Sequence, residues 1–208
     1  MNSRLSKGFL FAIEGIDGAG KSTQIVRLKE WFSRQGFETV SLREPTDGPY
    51  GQQIREVAKK KRHLFTPEQE LELFIQDRIE NCRDNIQPAL DRKAIVLIDR
   101  YYYSTVAYQG ALGLDPQMIM EKNEAIAIRP DAVFVLDLPV EAGLRRIREG
   151  RKEKPDDFES RHYLEKVRTL FLGMNQDNIR VVDALSGPDA VFEAIRKMIL
   201  EMIRPFTS

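Results

Sequence analysis

Eight residues, Gly15-Ile16-Asp17-Gly18-Ala19-Gly20-Lys21-Ser22, constrain this chain more than any other stretch. They fit the spacing G-x-x-x-x-G-K-[ST]. They also fall between an apolar run, Phe9-Leu10-Phe11-Ala12-Ile13, and a stretch from Lys21 to about Gln35 that reads as a helix. Strand, glycine loop and helix form the context in which this spacing has a mechanism. The glycines let the backbone curl until its N–H groups point inward at an anion. The helix that follows adds the partial positive charge of its N-terminus. In this reading Lys21 reaches the β- and γ-phosphates of a nucleotide, and the Ser22 hydroxyl ligates Mg²⁺. The plain alternative is a turn that only joins a strand to a helix, but spacing, Lys-Ser ending and flanks all agree on a phosphate site.

Apolar runs near residues 8–14, 37–43, 94–99, 132–137 and 179–183 predict five strands. Runs such as Ala94-Ile95-Val96-Leu97-Ile98 and Val133-Phe134-Val135-Leu136 are continuously apolar and alternate with helices. That pattern predicts an α/β fold, a five-stranded parallel sheet with helices on both faces. Ligands of such sheets sit beyond the carboxyl ends of the strands. The first helix places Ile25, Leu28 and Phe32 on one face and ends at Gly36. A longer helix starts at Thr66-Pro67-Glu68-Gln69, with Thr66 as N-cap, Pro67 at N1 and Gln69 completing a capping box. Its buried stripe is Leu71, Ile75, Ile79, Cys82, Ile86 and Leu90, and Pro88 bends or ends it. The last helix, about 188–203, carries Val191, Ile195, Ile199 and Met202. No repeat or linker interrupts the chain, so residues 1–208 are expected to form one domain.

Composition narrows the partners. The 32 basic and 32 acidic residues cancel, which argues against a general nucleic-acid or membrane-surface role. Cys82 is the single cysteine, so an internal disulfide and a cysteine metal cluster are excluded. Its place on an apolar stripe suggests a core role in a reducing compartment. No segment approaches the roughly 18–20 apolar residues of a membrane span. The apolar run after Arg4 and Lys7 is short and ends at Glu14, unlike a secretory leader, so the cytoplasm is expected.

The chemistry beyond the loop comes from strand ends and helix faces. Asp99-Arg100 closes the third strand. Asp99 suits Mg²⁺, directly or through water, and Arg100 suits an acceptor phosphate. A capping Asp beside a surface Arg is the plain alternative. Arg43-Glu44-Pro45 closes the second strand, where a simple salt bridge is equally natural. Phe74 and Arg78 share a helix face at i, i+4, with Phe74 about 60° off Leu71 at the margin of the stripe. A rim aromatic beside an arginine suits a nucleobase; a core Phe with a surface Arg is the competing reading. Tyr108 and Gln109 follow on a further helix and suit a sugar or base pocket, or half-buried packing. Arg145, Arg146, Arg148, Arg151, Lys152 and Lys154 crowd one stretch after the fourth strand. They read as a cationic lid at about 142–158 over phosphates, or as a solvated charged face. His63 and His162 fall in no motif and read as structural or surface residues.

Taken together, these motifs resemble the bacterial and archaeal dTMP kinase family, from about Phe9 to Ile199. Five features carry the resemblance. They are the loop from Glu14 through Ser22; Arg43-Glu44-Pro45 with Gly51 and Ile54-Arg55; and Leu73-Phe74 with Asp77-Arg78. The others are Asp99-Arg100-Tyr101 with Ser104 and Ala107-Tyr108-Gln109-Gly110, and Leu136-Asp137-Leu138-Pro139 before the basic lid and Phe158-Glu159. The resemblance implies a P-loop NTPase type of fold, with a short mobile lid, that moves phosphate from ATP to dTMP to give ADP and dTDP. It implies that Gly15 through Ser22 and Thr23 hold ATP, and that Ser22, Asp17 and Asp99 serve Mg²⁺. Phe74 would stack on thymine, Arg78 contact the base and Gln109 lie by it. Arg55 and Arg100 would grip the acceptor phosphate with Glu44 near, and Ser104 and Thr105 would complete the pocket. Tyr108 would crowd the sugar 2′ position. Asp17, Lys21, Arg100, Arg148 and Arg151 would act at the transferring phosphate, the last two because the loop lacks the arginine of one family branch. A homodimer is also implied. Two departures stand out: Thr46-Asp47-Gly48 after Pro45 where Gly-Gly-Thr is usual, and Asn81 in a common His position.

Several alternatives remain open at this stage. A GTPase would want an Asn-Lys-x-Asp guanine reader, which the sequence lacks. A nucleotide kinase of the same fold with another or broader pyrimidine acceptor is the nearer rival, and a non-catalytic nucleotide binder is a third.

Overall fold

The computed structural model describes residues 5–58, 64–150 and 157–207. Five strands, β1 (Phe9–Glu14), β2 (Thr39–Arg43), β3 (Ile95–Asp99), β4 (Ala132–Asp137) and β5 (Ile179–Asp183), form one parallel sheet in the order β2-β3-β1-β4-β5. The predicted runs are these strands to within two residues. The continuously apolar ones lie at the centre: β1, β3 and Ala132–Leu136 of β4 are buried throughout, as helices cover both faces. The edges β2 and β5 are only partly buried, and there polar and apolar residues mix.

Register then positions the chemistry. Ile13 and Arg43 both pair with Asp99, so β1, β2 and β3 end level with one another. After β3 the chain crosses to the other side of β1, which makes the end of β1 the point where strand order reverses. A crevice opens at such a point, and the glycine loop sits there.

Helix α1 (Lys21–Arg34) buries Ile25, Leu28 and Phe32. Gly20, its N-cap, has φ 95°, a left-handed conformation that asks for glycine although a Cβ would meet nothing there. Gly18 is required for a second reason. A Cβ on it would lie 2.5 Å from the Gly143 carbonyl oxygen, within α7 (Val140–Gly150). Helix α7 therefore rests directly on the phosphate loop.

The helix expected from Thr66 begins as α3 (Pro67–Asn81) with both halves of the capping box in place. It does not stop at Pro88. It widens into a π-helical turn over Cys82–Ile86 and resumes as α4 (Gln87–Asp91). Pro88 has no N–H to continue the α-helical ladder, and the wide turn just before it absorbs the mismatch. Helix α2 (Pro49–Glu56) packs on α3, and α5 (Tyr102–Ala111) packs on α6 (Pro116–Glu124) and α8 (Asp157–Gly173). The closing helix α9 (Pro188–Ile203) matches its predicted span and packs on α1. Cys82 is buried, and its sulfur lies 3.1 Å from the Tyr101 hydroxyl. His162 is exposed. Among the described residues, no helix is long and apolar enough to cross a membrane.

Candidate active site

On the loop side, Lys21 is almost fully buried. Its Nζ donates to the carbonyl oxygens of Gly15 and Ile16 at 3.0 and 2.9 Å. Burial, with Arg100 nearby, pushes its ammonium down to about 8. Ser22, in the first turn of α1, donates to Asp99 Oδ2 at 2.5 Å. Strand register delivers Asp99 to this hydroxyl from the neighbouring strand end. Both groups offer hard oxygen donors, as Mg²⁺ prefers. Among the described residues no cluster of three or more His, Cys, Asp or Glu side chains is built to hold a metal. A pair of oxygen ligands completed by substrate phosphates is the usual Mg²⁺ arrangement, so the donor set fits that ion. Asp17 sits elsewhere: its Oδ1 accepts from Arg100 at 2.7 Å, toward the acceptor side. Thr23 is exposed on the first turn of α1.

Glu14 lies beneath the loop with no exposure. Its carboxyl accepts from the Tyr101 and Ser104 backbone N–H groups at 2.7 and 3.2 Å and from the Ser104 hydroxyl at 2.5 Å. Burial pushes it up to about 7, against the pull of those donors and of Arg100 and Lys21. The residue ties the end of β1 to the start of α5 and so holds Arg100 between them. Arg100 itself has φ 68°, a left-handed backbone that is costly for a residue with a side chain. Its guanidinium reaches Asp17, Ser104 Oγ at 3.1 Å and the Tyr108 hydroxyl at 3.2 Å, and lies 4.8 Å above the Tyr108 ring.

Beside this cluster is a cavity of about 340 Å³. Asp17, Arg55, Phe74 and Arg100 line it, together with Ser104, Thr105, Tyr108 and Gln109. The structure thus gathers most of the sequence-predicted acceptor residues from α2, α3, α5 and the glycine loop. Phe74 is half-buried, as its place at the stripe margin predicts. The Tyr108 ring meets Tyr163 and Phe171 of α8 edge-on, and its backbone oxygen accepts from the Tyr163 hydroxyl at 2.9 Å.

Glu44 and Arg78 are placed differently from the expectation. Neither lines this cavity. Both are enclosed behind its wall and form an ion pair of 2.6 Å, with Arg78 1% exposed. Arg78 also donates to Thr105 Oγ1 at 3.2 Å and to Asn123 Oδ1, while Asn81 donates to Glu44 at 3.0 Å. Burial raises the Glu44 carboxyl, offset by Arg78 and Asn81. Helical spacing correctly groups Arg78 with Phe74. It does not show that the long side chain turns inward toward α5 and α6.

Residues at both departures from the family pattern have bracing contacts. Thr46 donates to both oxygens of Asp77, through its N–H at 2.9 Å and its hydroxyl at 2.5 Å. Asp47 accepts from Arg55 at 3.1 Å, and Arg55 also donates to the Pro45 and Thr46 carbonyls. Asn81 serves Glu44. None of Thr46, Asp47 and Asn81 lines the acceptor cavity.

In the basic stretch, Arg148 is exposed and directs Nε at the Leu144 carbonyl 3.4 Å away, while Arg151 lies outside the described residues, as do Lys152, Lys154 and His63. Arg146 reaches the phosphate loop, donating to Gly18 at 3.3 Å and to Ala184 at 3.0 Å. The sequence names it only within the basic stretch. Arg146 follows Gly143 by three residues and shares its helix face, but that this face rests on the loop is a tertiary contact the sequence does not signal. Glu70 is an omission, a buried carboxylate on the cavity wall.

The family model described as thymidylate kinase matches residues 13–195. A thymidylate kinase of Desulfotalea psychrophila is 43% identical over 197 residues, covering 95% of this chain and 96% of that protein. One of Xanthomonas euvesicatoria is 45% identical over 193 residues, 93% of this chain and 84% of the relative. A probable thymidylate kinase of Archaeoglobus fulgidus is 43% identical over 190 residues, 91% and 94% of the two chains. Matches of this identity and coverage, on a five-stranded parallel sheet carrying a phosphate loop, place the chain in the thymidylate kinase family.

Proposed function

We infer that this chain is a dTMP kinase, which moves the γ-phosphoryl group of ATP onto the phosphate of dTMP to give ADP and dTDP. The observation that carries the reading is the meeting of two sites at the Asp17–Arg100 ion pair. A phosphate loop lies on one side, and a cavity with an aromatic wall and arginines on the other.

The residues divide the work. Loop N–H groups from Gly15 to Ser22, with Thr23 beside them, cradle the donor phosphates, and Lys21 exchanges its carbonyl partners for phosphate oxygens. Ser22 and Asp99 would hold Mg²⁺, which neutralises charge on the β- and γ-phosphates when bound. Arg100 and Arg55 grip the acceptor phosphate, with Asp17 orienting Arg100. Phe74 stacks on the base, with Thr105 and Gln109 at its edge. Tyr108, backed by Tyr163 and Phe171, fills the space a 2′-hydroxyl would need. Glu44 and Arg78 act as the support behind that wall. The acceptor is already anionic at neutral pH, so no general base is required and catalysis rests on positioning and charge neutralisation. Arg148, near the end of α7, would add positive charge at the transferring phosphate; Arg151, the other residue expected of a lid at 142–158, lies outside the described residues. The working form is a homodimer of single-domain chains in the cytoplasm.

The test is ADP release with ATP, Mg²⁺ and a panel of acceptors: dTMP, dUMP, ribo-TMP, UMP, dCMP, AMP and dGMP. A preference for dTMP over both ribo-TMP and dCMP is expected. Comparable turnover of several pyrimidine monophosphates would replace dTMP kinase with a broader enzyme of the same fold, and no stimulation by any acceptor would overturn the kinase reading.

A further inference from the structure

One pair of buried polar groups in the acceptor cavity has no part in gripping phosphate. Gln109 is 2% exposed and donates its Nε2–H to Glu70 Oε2 at 3.1 Å. Its other amide atom, Oε1, is buried and has no hydrogen-bond partner among the described residues. Glu70 is 7% exposed, stands one helical turn before Phe74 on α3, and lines the same cavity. A buried carbonyl oxygen left unpaired is costly unless a ligand brings it a donor. Chemistry also fixes which way the amide faces. A carboxylate only accepts, so the NH₂ branch must turn to Glu70 and the oxygen must take the opposite side.

We propose that Glu70 is a positioning residue for base selection. By holding the Gln109 NH₂ group, it commits Oε1 to accept a hydrogen bond from the acceptor base. Thymine and uracil carry an N–H at ring position 3 and satisfy that oxygen. Cytosine carries a lone pair there and opposes it. Without the carboxylate the amide is free to turn over and offer its NH₂ to cytosine. This inference rests on the dTMP kinase reading.

The experiment compares wild type, Glu70→Gln, and the double variant Glu70→Gln with Gln109→Glu. For each, kcat and KM are measured with dTMP and with dCMP, alongside KM for ATP and a thermal melt. In Glu70→Gln the dTMP KM is expected to rise about tenfold, as for one lost hydrogen bond. With kcat within about twofold, the preference for dTMP over dCMP narrows by a similar factor. The double variant restores that preference, because a carboxylate at position 109 accepts from the base while an amide at position 70 donates to it. An unchanged preference in Glu70→Gln overturns the proposal. So does a narrowing that the double variant fails to reverse, which would assign the effect to packing. If the melt shows Glu70→Gln unfolded, Glu70→Asp withdraws the acceptor by one methylene and carries the same expected narrowing. A wild type that phosphorylates neither nucleotide would overturn the kinase reading instead, leaving the two failures distinguishable.

Discussion

On the donor side of the site, Lys21 is bonded to the carbonyls of its own loop, and Ser22 to Asp99. On the acceptor side, the cavity wall is backed by an enclosed ion pair, Glu44–Arg78, and by cross-helix contacts from Thr105, Asn123 and Asn81. The groups proposed to take ATP are bonded to one another, whereas those around the proposed acceptor cavity are held by partners from several elements. The difference follows from what each side must recognise. Phosphate oxygens are met by any curl of N–H groups with a cation, so local chain geometry is enough. A base and a sugar are recognised by shape, and shape needs rigid neighbours from several elements.

Removing Lys21 tests the donor half most severely. Lys21→Ala should lower kcat by at least about 10²-fold, the scale for losing one preorganised charge-stabilising group. The acceptor cavity should survive, so dTMP binding measured by calorimetry should stay near wild type. A comparable loss of dTMP binding would show that the two halves are not separately built. Phe74→Ala probes the opposite half. Losing one aromatic platform under a base costs roughly 1–3 kcal/mol, about 5- to 150-fold in acceptor KM, with ATP KM unchanged. An unchanged acceptor KM would remove Phe74 from the base site.

The gentlest test uses pH. Burial lowers Lys21 to about 8 in the free protein. Below that value the side chain is already charged, and ATP binding needs no proton. Above it the neutral amine predominates, so binding must take up a proton, and ATP affinity should fall up to tenfold per pH unit. Calorimetry of ATP binding from pH 7 to 9.5 in buffers of different ionisation enthalpy measures both the fall and the proton uptake. Affinity flat to pH 9.5 would mean that Lys21 stays charged throughout.

Much of the fold was legible because its signals are local. Thr66 and Gln69 form their capping box within one turn, and Gly36 ends α1 with a positive φ. The central strands are continuously apolar because they are covered on both faces. The donor loop was legible for the same reason, since its glycines, Lys21 and Ser22 are near neighbours in the chain. Pro88 was harder to read, because a proline alone does not say whether a helix stops or widens into a π turn.

The acceptor half was legible as a set of residues but not as an arrangement. Arg78 was grouped with Phe74 on one helix face, but its turn inward to pair with Glu44 and reach Thr105 was not legible. Arg146 was read only as one of the basic lid residues, and Glu70 was not singled out although it lies one turn before Phe74. What the sequence by itself determined was the phosphate loop, the strands that frame it and the family to which both belong. Only the tertiary structure decided that Glu14 anchors Ser104 from 90 positions away, that Arg78 is enclosed by Glu44, and that Glu70 holds Gln109 across 39 positions. The physical reason is that a buried polar group must find its partner wherever packing puts one. No periodicity along the chain records which distant element that will be.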